Sequence, residues 1–129
     1  MLAALVAQIA LAPLLKGRAQ QAWSMQPVEE LSEDTPACFV FPERESADPN
    51  QYDTGVLQEI STDWALMIVC ETATLEALRS EIRAKVLGWQ AGAAYTPMTF
   101  ATGEAVDIKG DYIWWLERYR SSIHVTSTL

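Results

Sequence analysis

Hydrophobic residues recur at helical spacing in one segment of the chain, residues 72–89. Apolar side chains three or four positions apart lie on the same face of an α-helix. The pattern therefore predicts an amphipathic helix from about Ala73 to Leu87, with Gly88 placed where a helix ends. The predicted apolar stripe consists of Leu75, Leu78, Ile82, Val86 and Trp89.

Strand-like patterns precede this helix. Residues 37–41 form a short apolar run between Pro36 and Pro42, which predicts a buried strand. Residues 56–71 form the longest strand-like run. Because side chains alternate between the two faces of a strand, the even-numbered positions of residues 60–70 are predicted to face the core.

Two further strand patterns follow the helix. Residues 98–108, interrupted by Gly103, indicate either one strand or a tight hairpin with the next. Residues 112–121 indicate a last strand, in which Trp114 and Trp115 point to opposite faces. Either both rings are buried within the subunit, or one of them anchors a contact between subunits.

The first residues of the chain are apolar and without charge up to Lys16. They predict a helix from about Leu2 to Leu11, after which Pro13 either ends the helix or opens a second turn reaching toward Trp23. An export signal is disfavoured, because no basic residue precedes the apolar run and Pro13 interrupts it. The segment is expected to pack on the body of the protein or on a neighbouring subunit.

Together these elements predict an α+β fold, with a mainly antiparallel β-sheet covered by a long helix and an additional N-terminal helix. The chain has 129 residues, half of them apolar, which indicates one domain comprising residues 1–129. Within it, residues 1–23 are the predicted N-terminal helical segment and residues 36–125 the sheet-helix-sheet body. The predicted core signature is Phe39, Trp64, Leu75, Leu78, Ile82, Trp89 and Trp114.

Charge is distributed unevenly along the chain. The net charge is −8, and residues 1–71 carry eleven Asp and Glu against three Lys and Arg, whereas residues 72–129 carry six of each. A surface that follows nucleic-acid phosphates needs clustered basic residues, so sequence-specific nucleic-acid binding is not expected. The uncharged N-terminal stretch is shorter than the ~20 residues that cross a bilayer, so no membrane association is expected either.

Residue types for catalysis or metal binding do not form a recognisable set. His124 is the only histidine, and Cys38 and Cys70 lack the spacing of a zinc or redox motif. Neither nucleotide-binding glycine motif is present. The acidic residues 29–34 lack the alternation of a calcium loop. The sequence therefore predicts no cofactor, no metal and no enzymatic activity, with the cysteines as buried thiols.

Two stretches are candidates for contacts with other molecules. Residues 42–55 are polar and turn-forming, and they predict an exposed loop that becomes ordered against a partner. The residues of this predicted docking loop are Glu45, Asp48, Asn50, Tyr52 and Asp53. The last predicted strand supplies a candidate subunit interface consisting of Trp115, Arg118, Tyr119 and Arg120.

The order and spacing of several short motifs resemble phage tail terminator proteins. The motifs are Phe39-Val40 between prolines, the strand from Trp64 to Val69, Leu75 to Arg79, Leu87-Gly88-Trp89, Tyr95 with Pro97, Gly103, and Ile113-Trp114-Trp115. The resemblance extends from about Pro36 to Tyr119. One departure is Ala91, near which the family leads us to expect a proline.

This resemblance implies a structural function. Members of the family assemble, typically as a six-membered ring, on the finished end of a phage tail tube, stop its growth and present a surface to the neck. The implied partners are further copies of the chain, the tail tube protein and a neck or head-tail connector protein. The implied location is the tail-neck junction of the virion, after assembly in the host cytoplasm.

Two other interpretations of the sequence remain open. The first is another neck or head-tail joining protein with the same fold but a different position in the particle. The second is a small-molecule-binding α+β domain, either an enzyme or a regulatory module, which would need a concave pocket with convergent polar groups.

Overall fold

The computed structural model of the protein describes residues 1–22, 35–50 and 55–128. Two α-helices, two short 3-10 helices and five strands occur in these ranges. In chain order they are α1 (Leu2–Ile9), a 3-10 helix (Pro13–Leu15), β1 (Ala19–Gln21), β2 (Ala37–Ala47), β3 (Gly55–Glu71), a 3-10 helix (Thr72–Thr74), α2 (Leu75–Val86), β4 (Thr99–Lys109) and β5 (Tyr112–Thr128).

The strands form one mixed sheet in the order β1-β2-β3-β5-β4. β1 runs parallel to β2, while the other three pairings are antiparallel. The α+β class agrees with the sequence prediction. Residues 1–23 were predicted to be helical, but β1 lies within them, so the prediction was wrong for that part of the segment. The chain turns back before β1, since Lys16 and Gly17 have positive φ angles of 52° and 78°.

Two helices share one face of the sheet, α2 and the additional N-terminal helix α1, whereas the sequence predicted that one long helix covers the sheet. α1 and α2 are joined by polar contacts: the Gln8 side chain donates to the Lys85 carbonyl at 2.9 Å, and the Leu14 amide donates to the Glu81 carboxylate at 2.8 Å. Each helix buries an apolar stripe in the same core cluster. This cluster is hereafter the helix-side core, and it includes Leu5, Ile9, Cys38, Trp64, Leu66, Ile68, Leu78, Ile82, Val86 and Tyr119.

A second buried cluster lies on the opposite face of the sheet. Its members alternate in sequence with those of the helix-side core, which is the consequence of a strand with both faces covered. They are Ala22, Ala37, Phe39, Ala65, Met67, Val69 and Leu116, with Phe41 and Trp114 packed against them. The predicted core signature is therefore divided between two faces, Phe39 and Trp114 belonging to this second cluster.

The strands are longer than the sequence predicted. β2 continues from Phe41 through Pro42 to Ala47, where a loop was expected, and its register shifts between Pro42 and Arg44. Proline lacks an amide hydrogen and is tolerated at bulges and sheet edges, and β1 pairs with β2 only as far as Val40. β5 likewise extends beyond Ser121 to residue 128.

The extra strand length forms an extension that we call the arm, consisting of residues 45–50, 55–61 and 122–128. β3 and β5 each have 17 residues, or roughly 55 Å at ~3.3 Å per residue. α2 has 12 residues and is only about 18 Å long. Tyr52 and Asp53 of the predicted docking loop lie outside the described residues, as do Trp23 and the acidic residues 29–34.

Candidate assembly surfaces

A buried carboxylate lies between α2 and the sheet. Glu117 on β5 is fully buried, and its Oε1 lies 2.5 Å from Nε of Arg79 on α2. The Tyr119 hydroxyl donates to Glu117 Oε2 at 3.0 Å. Both oxygens of the carboxylate therefore have a donor, as the burial of a charge requires.

Aromatic rings extend this cluster toward β4. The Arg79 guanidinium lies 4.5 Å from the centroid of the Trp115 ring, and that of Arg83 lies 5.3 Å from the Phe100 ring. Phe100 also contacts Tyr119 edge to face at 5.5 Å. The apolar stripe predicted from the sequence includes neither arginine. The missed signal was Glu117, an acid at a core-facing position of an apolar strand.

Burial raises the pKa of several groups in these clusters. The pKa of Tyr119 is raised first by its removal from water and then by the neighbouring Glu117. Removal from water also raises the pKa of Cys38, and it raises that of Cys70 to about 11. Both cysteines are free thiols and are fully buried. Neutral, buried thiols are poor nucleophiles, and they pack as small apolar side chains.

Ion pairs cross the opposite face of the sheet. Arg118 lies 2.6 Å from Glu43 and 3.0 Å from Glu104, and Arg120 lies 2.7 Å from Asp63. Hydrogen bonds to these carboxylates raise the pKa of both arginines. The pairs connect β2, β3, β4 and β5 across this face.

The four residues predicted as a subunit interface do not share one surface. Trp115 and the fully buried Tyr119 lie on the helix side, while Arg118 and Arg120 lie on the ion-paired side. Alternation along β5 separates the two pairs. Their role between subunits stays a prediction, and the surface geometry limits a direct contact to the arginines and the exposed part of Trp115.

The arm presents a third surface. Ile60 pairs with Ile123 and Gln58 with Val125 on the helix side of the ribbon. Neither core cluster includes a residue of the arm. Val125 is 38% exposed. Glu45, Asp48 and Asn50 are the described residues of the predicted docking loop, and all three are exposed. Glu45 pairs with Thr62 at the base of the arm, and Asn50 bonds to Gly55 and Leu57 at its far end.

β4 is an edge strand whose eleven residues are all exposed. Its pairing with β5 is interrupted by two irregularities, between Phe100 and Thr102 and between Ala105 and Asp107. Bulges and charged side chains are the usual means by which edge strands avoid pairing with other chains. The backbone edge of β4 is thus protected, and its side chains are the part available for contacts.

A cavity of about 290 Å³ lies beside the 3-10 helix that follows α1, lined in part by Lys16, Glu71 and Tyr112. This volume is just below the range of roughly 300 to 1,000 Å³ that is usual for ligand pockets. Within the described ranges, no group of three or more metal-ligating side chains occurs. None of the helices in the described part of the chain has the length and apolar character needed to span a membrane.

Comparisons with known proteins agree with the fold. One structure in a virion of a native gene transfer agent particle superposes with a TM-score of 0.61 at 16% sequence identity, covering 97% of this chain and 95% of that chain. At this identity the similarity concerns the fold alone. A search among curated proteins gives no match. The family model described as phage tail terminator protein matches residues 3–128. The chain therefore belongs to the phage tail terminator family, whose members are structural proteins of the virion.

Proposed function

We propose that the protein caps the tail tube as a homo-oligomeric ring, ends tube elongation and provides the surface to which the neck attaches. The observation that carries this proposal is the family match over residues 3–128, which includes both helices, all five strands and the arm. The partners are further copies of the chain, the tail tube protein and a neck or connector protein. The proposed location is the tail-neck junction, reached after assembly in the host cytoplasm.

The architecture supports a subunit that acts through contact surfaces. A sheet covered on both faces is rigid, because each strand is held by neighbours and by packing above and below. Ion pairs from Arg118 and Arg120 tie neighbouring strands together. The long arm and the exposed side of β4 lie at different places on this body, which suits the head-to-tail contacts from which closed rings are built.

Tail length tests the proposal directly. Tails assembled from the remaining virion proteins without this chain should be longer than normal and variable, because nothing stops the addition of tube subunits. Adding the purified protein at the start of assembly should restore a uniform length, measured on electron micrographs. An added variant that is unfolded, such as Trp64→Asp, should leave the tails overlong and serves as the control.

The alternative of a neck or head-tail joining protein predicts a different result. Tails lacking such a protein would reach normal length but stay unattached to heads. That outcome would refute the terminator function while leaving the structural role of the fold intact. Uniform, head-attached tails in the absence of the protein would refute both.

A further inference from the structure

One side of the arm is apolar and without a covering layer from α1 or α2. Its helix-side positions include Val56, Ile60, Ile123 and Val125, which are partly or largely exposed. Residues 55–59 of β3 lie beyond the register with β2, which ends at Ile60, and β5 is the one strand that pairs with them along their length. Residues 48–50 reach them through separate hydrogen bonds, such as that from the Asp48 amide to the Glu59 carbonyl. A two-stranded ribbon with an exposed apolar side is marginally stable alone and gains from being covered.

The arm also carries charge of a single sign. Its residues include three carboxylates, Glu45, Asp48 and Glu59, and no Lys or Arg. None of these carboxylates forms an ion pair with another described residue. Glu45 and Asp48 are exposed. A surface that covers the arm should therefore combine apolar side chains with a basic group.

A surface of that kind lies between α2 and β4 of the same chain. Leu87 and Phe100 are 50% and 39% exposed. Arg83 lies over Phe100, and its Nε is buried without a hydrogen-bond partner. The Gly88 amide donates to the Met98 carbonyl at 2.8 Å, which holds the end of α2 beside the start of β4. We call Arg83, Leu87 and Phe100 the α2–β4 surface.

Arg83 differs from the other arginines around it. Arg79, Arg118 and Arg120 each form an ion pair within the chain, whereas Arg83 forms none with the described residues. Arg83 interacts with the Tyr119 hydroxyl, but the described residues give it no carboxylate partner, so a carboxylate from another copy can pair with it. Lys85 is two positions further, about 200° around the helix, so it lies on a different side of α2.

From this complementarity we propose that the arm of one copy docks on the α2–β4 surface of a second copy, with Glu45, which shares the apolar side of the arm, placed near Arg83 and that side against Leu87 and Phe100. The inference rests on the proposed ring and names its subunit contact. The two surfaces are different parts of one chain, so the contact is heterologous and its repetition can close a ring.

Charge exchange between two variants tests the docking. The first variant, Glu45→Arg, reverses the charge on the apolar side of the arm and alters only an exposed side chain. The second, Arg83→Glu, reverses the charge of the α2–β4 surface. Each variant alone should self-associate on the order of 10- to 100-fold more weakly than the wild type. A one-to-one mixture should recover the association, since each arm then meets an opposite charge.

The readout is sedimentation and native mass spectrometry of the purified protein, alone and with isolated tail tubes. Lys85→Glu is the matched control: it removes a basic charge from the same turn of α2 but from another side, and it should neither weaken association nor rescue the arm variant. Unchanged association of the arm variant would overturn the proposal, as would a mixture that gains nothing. Wild-type protein that is monomeric in both conditions would overturn it too.

This test separates the docking from the proposed function. If the arm variant associates normally and still gives tails of uniform length, the docking is wrong and the terminator function stands. If the wild type associates through these charges but tails stay overlong in its presence, the docking stands and the terminator function is wrong.

Discussion

Glu117 shows how a single residue can determine the position of a helix. A buried carboxylate is tolerated only with charged or polar partners, and Arg79 and Tyr119 supply them. Because Arg79 lies on α2 and Glu117 on β5, the ion pair fixes the rotation of the helix relative to the sheet. The apolar stripe makes α2 amphipathic and packs it on the sheet. The buried ion pair between Arg79 and Glu117 adds a contact of defined direction between the helix and β5.

Replacing Arg79 by alanine should therefore destabilise the protein strongly. The change leaves Glu117 buried without its cation, which typically costs about 3 to 5 kcal/mol in the free energy of unfolding. Urea denaturation measures the difference. Arg120→Ala is the control, because the arginine of its pair with Asp63 is mostly exposed and the loss should be much smaller. Equal losses in the two variants would contradict the assigned role of Glu117.

The buried thiols predict a loss of stability at alkaline pH. In the folded protein the pKa of Cys70 is raised from 9.0 to about 11, and that of Cys38 is raised as well. Above pH 9 the unfolded chain loses these protons while the folded chain keeps them. Stability should therefore be unaffected by these groups below pH 9 and should fall by about 1.4 kcal/mol per pH unit per thiol as the pH rises toward 11.

Urea unfolding between pH 7 and 11 under reducing conditions measures this slope. Cys38→Ala and Cys70→Ala should each show a shallower decline than the wild type, whatever their stability at pH 7. A decline of the same steepness in both variants would assign the alkaline loss to other groups, among which Tyr119 also has a raised pKa.

Residue-scale predictions from sequence succeeded where side-chain alternation decides the outcome. The even-numbered positions Trp64, Leu66, Ile68 and Cys70 do face the helix-side core. Contacts between elements distant in sequence could not be predicted in the same way. Nothing in the spacing of α2 indicates that Arg79 bends toward the sheet, because that depends on the register of β5.

At the scale of elements, the close contact between β4 and β5 depends on a glycine. A Cβ atom at Gly103 would lie 3.0 Å from the Trp115 ring. The sequence suggested that Gly103 interrupts a strand, whereas the structure shows a continuous strand with irregular pairing on either side. The absence of a side chain allows the Trp115 ring to lie directly against the β4 backbone.

Gly103→Ala should displace the Trp115 ring and lower stability by about 1 to 3 kcal/mol, the usual range for overpacking. The measurement is thermal or urea unfolding together with the tryptophan emission spectrum, which should change as the ring moves. Gly92→Ala is the matched control, since the added methyl would meet Tyr95 at an ordinary 3.9 Å. A Gly103 variant as stable as this control would show that the Trp115 ring accommodates the added methyl group without loss of stability.

Strand ends were the elements that sequence patterns predicted least well. Pro42 suggested the end of β2, yet the strand continues through an irregularity to Ala47. β5 was expected to end near Ser121, yet it continues to residue 128 with Ile123 and Val125 on the side of the arm that lacks a core. Both extensions belong to the arm, where pairing between strands, and not burial in the core, maintains the strand. Hydrophobic patterning does not report such pairing.

For the whole molecule, the difference between a sheet packed in the core and an arm outside it predicts two levels of stability. Residues 64–70 of β3 have strands on both sides and packing on both faces, whereas residues 55–59 lie beyond the register with β2 and outside both core clusters. Local opening of the arm costs less than global unfolding. Hydrogen-exchange mass spectrometry of the free protein should therefore show amide protection in residues 55–59 well below that in residues 64–70.

The same measurement on assembled tails should show increased protection of the arm if a neighbouring copy covers it. The amides of residues 64–70 serve as the internal control, because they are buried in both states. Arm amides as protected as these in the free protein would mean that the arm is stable by itself.

The arm begins beyond Trp64 on β3 and Tyr119 on β5, the last residues of those strands in the helix-side core. The length of the arm can therefore change by insertion at its distal end without any change to the body. Two residues added to each strand would lengthen it by about 7 Å and keep every side chain on its present side. A single added residue would invert the sides beyond it. Parity of insertion thus governs whether a lengthened arm keeps its apolar side intact.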